Sequence, residues 1–169
     1  MSATATPVVL ALGANLGDRI AMMHRAVSRL AEAGVQDLVC SVMYETDPVG
    51  YTEQPPFVNM VVAGQTWLTP HELANACRSI EQALGRTPRA KWHEREIDID
   101  IVLFGQQIVH DDTLEIPHPR MHERRFVLQP CAEVVPDMVH PVLQQRIDTL
   151  LTACNDTAGV RLIGELVRS

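Results

Sequence analysis

The stretch Ile97-Asp98-Ile99-Asp100-Ile101 constrains the fold of this chain more than any other. Strict alternation of apolar and acidic residues is the period-two signature of a β-strand, whose successive side chains leave on opposite faces. The isoleucines therefore belong to one face, and the two carboxylates share the other. Asp is a poor strand former, so a pair of them in mid-strand needs a reason. Two carboxylates on one face repel each other unless a cation sits between them. Hard carboxylate oxygens suit Mg²⁺, with substrate phosphates completing its shell. A merely acidic, solvated strand face is the other reading, and the pattern alone names no reaction.

The elements around this strand follow from periodicity and punctuation. Val8-Val9-Leu10-Ala11-Leu12, closed by Gly13, reads as a buried strand. A turn then leads into a helix with Ile20, Met23, Val27 and Leu30 at helical spacing and Gly34 as its C-terminal cap. Val39 to Thr46 reads as a second strand, Asp47 to Pro56 as a proline-rich loop, and Phe57 to Trp67 as a third strand. Thr69, Pro70 and Glu72 form a capping box that opens a second helix, with Leu73, Cys77, Ile80 and Leu84 as its apolar stripe and Gly85 as its end. Arg86 to Glu94 is a basic loop, and Ile97 to Phe104 is the fourth strand.

Strand, helix, strand, strand, helix, strand predicts an α+β fold with a ferredoxin-like βαββαβ core. Its sheet is mostly antiparallel, with helices packed on it. Beyond it, Pro117 to Val134 reads as a loop and a short helix. Val142 to Cys154 reads as a further helix, with Leu143, Ile147, Leu150 and Cys154 on one face. Val160 to Ile163 reads as a final edge strand. The 169 residues form a single domain on this reading.

Charge narrows the function classes. With 14 basic and 21 acidic residues the net charge is −7, which argues against a nucleic-acid or anionic-membrane binder. Half of the basic residues nevertheless fall in one stretch: Arg86, Arg89, Lys91, Arg95, Arg120, Arg124 and Arg125. Cations gathered in an acidic chain point to a small anion. Arg86, Arg89, Lys91 and Arg95, just upstream of the Asp98–Asp100 pair, supply with it the two halves of a phosphoryl-transfer site, metal-holding carboxylates and phosphate-clamping guanidiniums; mutual neutralisation as ordinary salt bridges is the other reading. No G-x-x-x-x-G-K-[ST] sequence occurs, so the site is not a P-loop. No apolar run is long enough to span a membrane, and the N-terminus lacks the basic and apolar regions of a secretory signal, so the cytoplasm is expected. Cys40, Cys77, Cys131 and Cys154 are widely spaced and expected to be buried free thiols.

Aromatic residues are few, and Tyr51, Phe57, Trp92 and Phe126 lie in or beside the loops already singled out. Aromatics at loop edges suggest stacking on a planar ligand, with rim packing under the loops as the other reading. His118, between two prolines and near Arg120 and Arg124, has two readings, a phosphate donor or a structural loop histidine.

The set Gly13-Ala14-Asn15-Leu16-Gly17, Tyr44-x-Thr46-x-Pro48-x-Gly50, Gln54-Pro55-x-Phe57-x-Asn59, Arg95-x-x-Asp98-Ile99-Asp100-Ile101, Pro117-His118 and Arg124-x-Phe126 resembles the 6-hydroxymethyl-7,8-dihydropterin pyrophosphokinases of folate biosynthesis. The likeness runs in order from about Val8 to Pro136. It implies transfer of pyrophosphate from ATP to the pterin hydroxymethyl group with release of AMP.

The resemblance also implies roles for individual residues. Asp98 and Asp100 would hold two Mg²⁺ ions, and Arg86 and Arg95 would stabilise the transferring group. Phe57 and Phe126 would sandwich the pterin, with Asn59, Thr46 and the main chain around Asp47, Pro48 and Val49 reading its edge. Glu81, Arg89, Lys91, Trp92, Ile101, His118 and Arg124, with Arg86 and Arg95, would line the ATP side. ATP and the hydroxymethyl-dihydropterin are the expected partners of a monomer. Two departures stand out: His93 and Glu94 replace the family's usual small residue and proline, and the basic loop is one residue short. Other readings of the Asp pair are a metal-dependent nucleotidyl or phosphodiester enzyme and a ferredoxin-like sensor. Neither requires Phe57, Asn59 and Phe126.

Overall fold

Strand β1 (Thr6–Ala14) is buried along most of its length because it runs through the interior of the sheet, between two antiparallel neighbours. The structure is a computed structural model and describes residues 4–15, 17–47, 55–85, 97–156 and 160–164. Helix α1 (Arg19–Ala33) follows. The Asp18 carboxylate caps it by accepting the Ala21 N–H at 3.0 Å, and Gly34 closes it in the left-handed region at φ 116°. Its buried stripe is Met23, Ala26, Val27 and Leu30, while Ile20 faces solvent at the first turn, contrary to the periodicity.

The expected single strand from Val39 to Thr46 is two strands, β2 (Val35–Cys40) and β3 (Met43–Thr46). Ser41 breaks them apart. Its N–H donates to Val61 O, its hydroxyl accepts the Val61 N–H at 2.9 Å, and the same hydroxyl donates to Val42 O at 2.7 Å. A side-chain oxygen thus replaces one ladder acceptor and turns the chain. Strand β4 (Phe57–Thr66) pairs with both pieces and ends just before Trp67, which is exposed. Helix α2 (Pro70–Ala83) carries the full Thr69–Glu72 capping box, and β5 (Asp98–Phe104) forms the far edge of the sheet.

Two small hairpins come next, β6 (Val109–His110) with β7 (Glu115–Ile116), and later β8 (Val139–His140) with β9 (Gln145–Arg146). Helix α3 (Arg125–Val134) lies between them, and α4 (Ile147–Ala153) and β10 (Val160–Gly164) follow. The helix expected from Val142 therefore begins only at Ile147. His140 Nδ1 accepts the Val142 and Leu143 N–H groups and Gln144 takes a positive φ of 58°, so the chain turns there and Leu143 lies in the turn.

The main sheet runs β10-β3-β4-β1-β5, antiparallel throughout, with β2 alongside β3 against β4. This is the ferredoxin-like core with β10 added at one edge. Helices α1 and α2 cover one face over Leu10, Leu12, Met60, Ile99 and Phe104; α3 and α4 cover the other over Val9, Val61, Val102 and Leu103. Among the cysteines, Cys77 and Cys131 are buried and pushed up to about 12 by burial. Cys40 and Cys154 are partly exposed, because each ends an element near the surface. No described helix is long and apolar enough to cross a membrane.

Candidate active site

Cross-strand partners share a face, so register alone assembles the site. One row reads Tyr44–Asn59–Gly13–Asp98, and the next on the same face reads Val61–Ala11–Asp100. Thr46 and Phe57 pair one step beyond Asn59. The isoleucines beside the acidic pair are buried, whereas Asp98 is half-buried and Asp100 exposed, as alternation requires. Farther along β5 a bulge at Val102, opposite the Val9–Leu10 step, sends both Val102 and Leu103 into the α3–α4 core. One sheet face is thereby polar at one end and apolar under the helices at the other.

Gly13 separates Asn59 from Asp98. A Cβ there would lie 3.0 Å from Asn59 Oδ1, so the glycine makes room for the amide rather than for an unusual backbone. Asn59 Nδ2 donates to Thr46 Oγ1 at 2.6 Å, and both residues are buried. Asn15 Nδ2 donates to Pro55 O at 3.0 Å, which ties the glycine-rich turn to the end of the proline-rich segment.

Helix α3 roofs this end of the sheet. Phe126 enters the same cleft as Phe57, and the Arg124 guanidinium carbon lies 5.7 Å from the Phe126 ring centre, within cation–π range. The cleft collects Thr46, Asp47, Phe57, Asn59, Asp98, Asp100, His118, Arg124 and Phe126. A second cleft, over the edge of β5, is lined by Glu81, Ile101 and Arg78, and shares Asp100 and His118 with the first. Glu81 is buried and its Oε2 accepts the Ile99 N–H at 2.8 Å, pinning the edge strand that carries both aspartates.

His118 is held by main chain on both sides. Its N–H donates to Val102 O, and its Nδ1 accepts the Arg120 N–H at 3.3 Å, which leaves Nε2 as the N–H of the neutral ring. Burial, then the Arg124 charge, lowers its pKa. Arg124 is itself lowered, chiefly by burial, with Asp100 working in the opposite sense.

Asp98 and Asp100 fit a magnesium site by donor type: hard oxygens that line the cleft. Among the described residues no group of three acidic, His or Cys side chains gathers to make a complete protein cage. Two carboxylates with space for water and phosphate is the donor set this ion favours. Pro48, Val49, Arg86, Arg89, Lys91, Trp92 and Arg95, with Tyr51 and His93, lie outside the described residues. Sequence reasoning missed Glu133, which binds Tyr44 and Val42 from α3, and Arg19, Asp156 and Arg161, which hold the ends of site elements.

Comparison with known proteins places the chain in a family. Residues 9–136 match the 7,8-dihydro-6-hydroxymethylpterin-pyrophosphokinase (HPPK) family. The Bacillus subtilis (strain 168) 2-amino-4-hydroxy-6-hydroxymethyldihydropteridine pyrophosphokinase is 42% identical over 154 residues, covering 90% of this chain and 87% of that protein. A Methylorubrum extorquens protein of the same name is 45% identical over 135 residues, covering 79% and 85%. The Plasmodium falciparum HPPK-DHPS A437G structure with STZ-DHP superposes with a TM-score of 0.70 at 16% identity, over 88% of this chain. That likeness concerns the fold, and this chain spans only 45% of that protein. A family match over most of its length, with the motifs in order on the expected core, makes this chain a member of the HPPK family, pyrophosphokinases that act on hydroxymethyldihydropterin in folate biosynthesis.

Proposed function

We propose that the pyrophosphate donor is ATP, that the hydroxymethyl oxygen of 6-hydroxymethyl-7,8-dihydropterin attacks its β-phosphorus, and that AMP leaves. The P–O bond between the α-phosphate and the β-phosphorus breaks, the new C–O–P linkage forms, and the hydroxyl proton is released. The observation that carries this reading is the row Asn59–Gly13–Asp98. Adjacent strands are ~4.8 Å apart, so a polar pterin-reading group and a metal-type carboxylate lie roughly 10 Å apart on one face. That separation suits a two-ring heterocycle whose one-carbon arm points toward a metal-bound triphosphate.

In this reading Asp98 and Asp100 hold two Mg²⁺ ions that bind together with ATP. Such ions neutralise triphosphate charge and align the donor. Phe57 and Phe126 stack on the pterin, while Asn59, Thr46 and the main chain of Asp47, Pro48 and Val49 meet its hydrogen-bonding edge. Arg86 and Arg95 stabilise the transferring group. Arg89, Lys91, Trp92, His118 and Arg124 bind the nucleotide, with Glu81 and Ile101 on the floor of its cleft. Positioning and charge stabilisation then do most of the catalysis, and no strong general base is required. The proposed working form is a monomer, and its compartment is the cytoplasm, where ATP is plentiful.

Product analysis tests the reading. Mg²⁺, ATP and the hydroxymethyl-dihydropterin should yield AMP and the pterin diphosphate in equal amounts. ADP as the nucleotide product would instead indicate a simple kinase, and no turnover would favour a sensor.

A further inference from the structure

The family match ends at residue 136, yet the chain beyond it contacts both walls of the cleft. One wall is α3. Its own N-cap residue, Arg124, supplies no side-chain cap; Asp156 does so from the C-terminal segment, Oδ2 accepting the Arg125 N–H at 3.0 Å. A carboxylate there satisfies an otherwise unpaired N–H and opposes the positive end of the helix dipole. The Arg125 side chain turns back to the same segment. Its Nε donates to Asp156 O and its Nη2 to Cys154 O, each at 3.0 Å. Arg125 stands between Arg124, the N-cap of α3, and Phe126, in its first turn, which bring a charge and a ring to the cleft. Holding it on three bonds fixes the entry of both neighbours.

The other wall is β3. Strand β10 pairs with it antiparallel, Val160 opposite Thr46 and Leu162 opposite Tyr44. Between them, Arg161 Nη2 donates to Asp47 Oδ1 and to Glu45 Oε1, both at 3.2 Å. The other Glu45 oxygen accepts from Arg19 Nη1 at 3.0 Å, and that same nitrogen donates to Pro56 O at 2.8 Å. Asp47 and Pro56 bound the proline-rich segment at its two ends. Glu45 is thus the hub through which Arg161 and Arg19 hold the start and finish of the segment that reads the pterin edge.

We infer that the described residues of segment 154–164 form a positioning brace for the pterin cleft, with Asp156 and Arg161 as positioning residues that keep Phe126 on one wall and Asp47 on the other in mutual register. The inference rests on the pterin reading of the cleft given above. It assigns a task in this reaction to a part of the chain that the family match does not reach.

Titration calorimetry on the full chain, with hydroxymethyl-dihydropterin and separately with a non-hydrolysable ATP analogue plus Mg²⁺, tests it. Asp156→Ala should weaken pterin binding about fivefold, in line with loss of a helix cap, whereas Asp156→Asn keeps an acceptor oxygen and should stay within about twofold of the parent. Arg161 lies on an exposed edge, so Arg161→Ala should fold normally, weaken pterin about threefold and leave the nucleotide affinity unchanged. Circular dichroism establishes that each variant is folded under assay conditions. Parent-like pterin affinity in Arg161→Ala, or an equal loss of both ligands in it, would overturn the brace. Unchanged pterin affinity in Asn59→Ala and Phe126→Ala would instead overturn the reading of the cleft itself, and the brace with it.

Discussion

Glu133 joins α3 to Tyr44 on β3: its Oε1 accepts the Tyr44 phenol at 2.9 Å while its Oε2 accepts the Val42 N–H at 2.7 Å. The bond is possible because Ser41 interrupts the strand and turns the Val42 N–H out of the ladder. Tyr44 opens the row that continues through Asn59 and Gly13 to Asp98, so this carboxylate fastens the roof of the cleft to its floor.

Tyr44→Phe should therefore cost about 1 kcal/mol in urea unfolding at neutral pH, the net worth of one such hydrogen bond. Burial, and then the Glu133 bond, pushes the phenol up to about 12 from 10.0. A raised folded-state pKa gives stability that is complete below pH 10 and is lost as pH rises through 12. Unfolding between pH 10 and 12 should show that loss in the parent and less of it in Tyr44→Phe. Identical alkaline profiles would contradict the assignment.

Gly13→Ala tests the row itself. The added methyl would press on Asn59 Oδ1 at 3.0 Å, so the amide must shift while the backbone stays unstrained. We expect pterin affinity to fall about tenfold, on the scale of one mispaired hydrogen bond, with a change of only a few degrees in melting temperature. A variant that binds pterin normally would show that Asn59 does not need its observed position.

Phe57→Ala and Phe126→Ala should each weaken pterin binding by roughly 1–3 kcal/mol, by analogy with base–aromatic stacking, and disturb ATP binding less. Calorimetry separates the two ligands. Loss of nucleotide affinity with intact pterin affinity would reverse the proposed division of the clefts.

With His118 on the nucleotide side, as proposed above, nucleotide binding should be linked to protons. Burial, then Arg124, lowers its pKa below 6.5, Arg120 adds to this, and Glu115 opposes it. A triphosphate brought alongside favours the charged ring, so binding should take up protons and tighten as pH falls from 7. Without ligand the sign is opposite. The depressed pKa gives stability that is present above 6.5 and is lost as pH falls through the folded-state value. Binding heats measured in buffers of different ionisation enthalpy should reveal the uptake in the parent and its loss in His118→Gln; equal uptake in both would remove His118 from the nucleotide side.

The parts legible in the sequence were those with local cause. Alternation at Ile97–Ile101, the Thr69–Glu72 capping box and Gly34 each act within a few residues, and each appears in the structure as read. The Ser41 break left no mark on the apolar pattern, since a hydroxyl replaced one ladder bond without altering hydrophobicity. Leu143 happened to fall at helical spacing with Ile147, but the His140 ring, accepting two N–H groups, enforces a turn there. Glu133, Asp156 and Arg161 reach partners 89, 31 and 114 residues away, and no local signal announces such pairs. Thr46, Asp47, Phe57, Asn59, Phe126, His118 and Arg124 came together because sheet register and α3 bring them to one cleft.

Asp98→Asn and Asp100→Asn test the central claim most directly, that the acidic face of β5 holds the metal-bound pyrophosphoryl donor beside the pterin. The measurement is the initial rate of AMP formation across a Mg²⁺ titration, with melting curves and pterin affinity taken on the same samples. The account predicts that each variant keeps its fold and its pterin affinity yet loses turnover by about 100-fold or more, as expected when anionic metal ligands and the charge stabilisation they support are removed. Near-parent rates in both variants at low Mg²⁺ would contradict it.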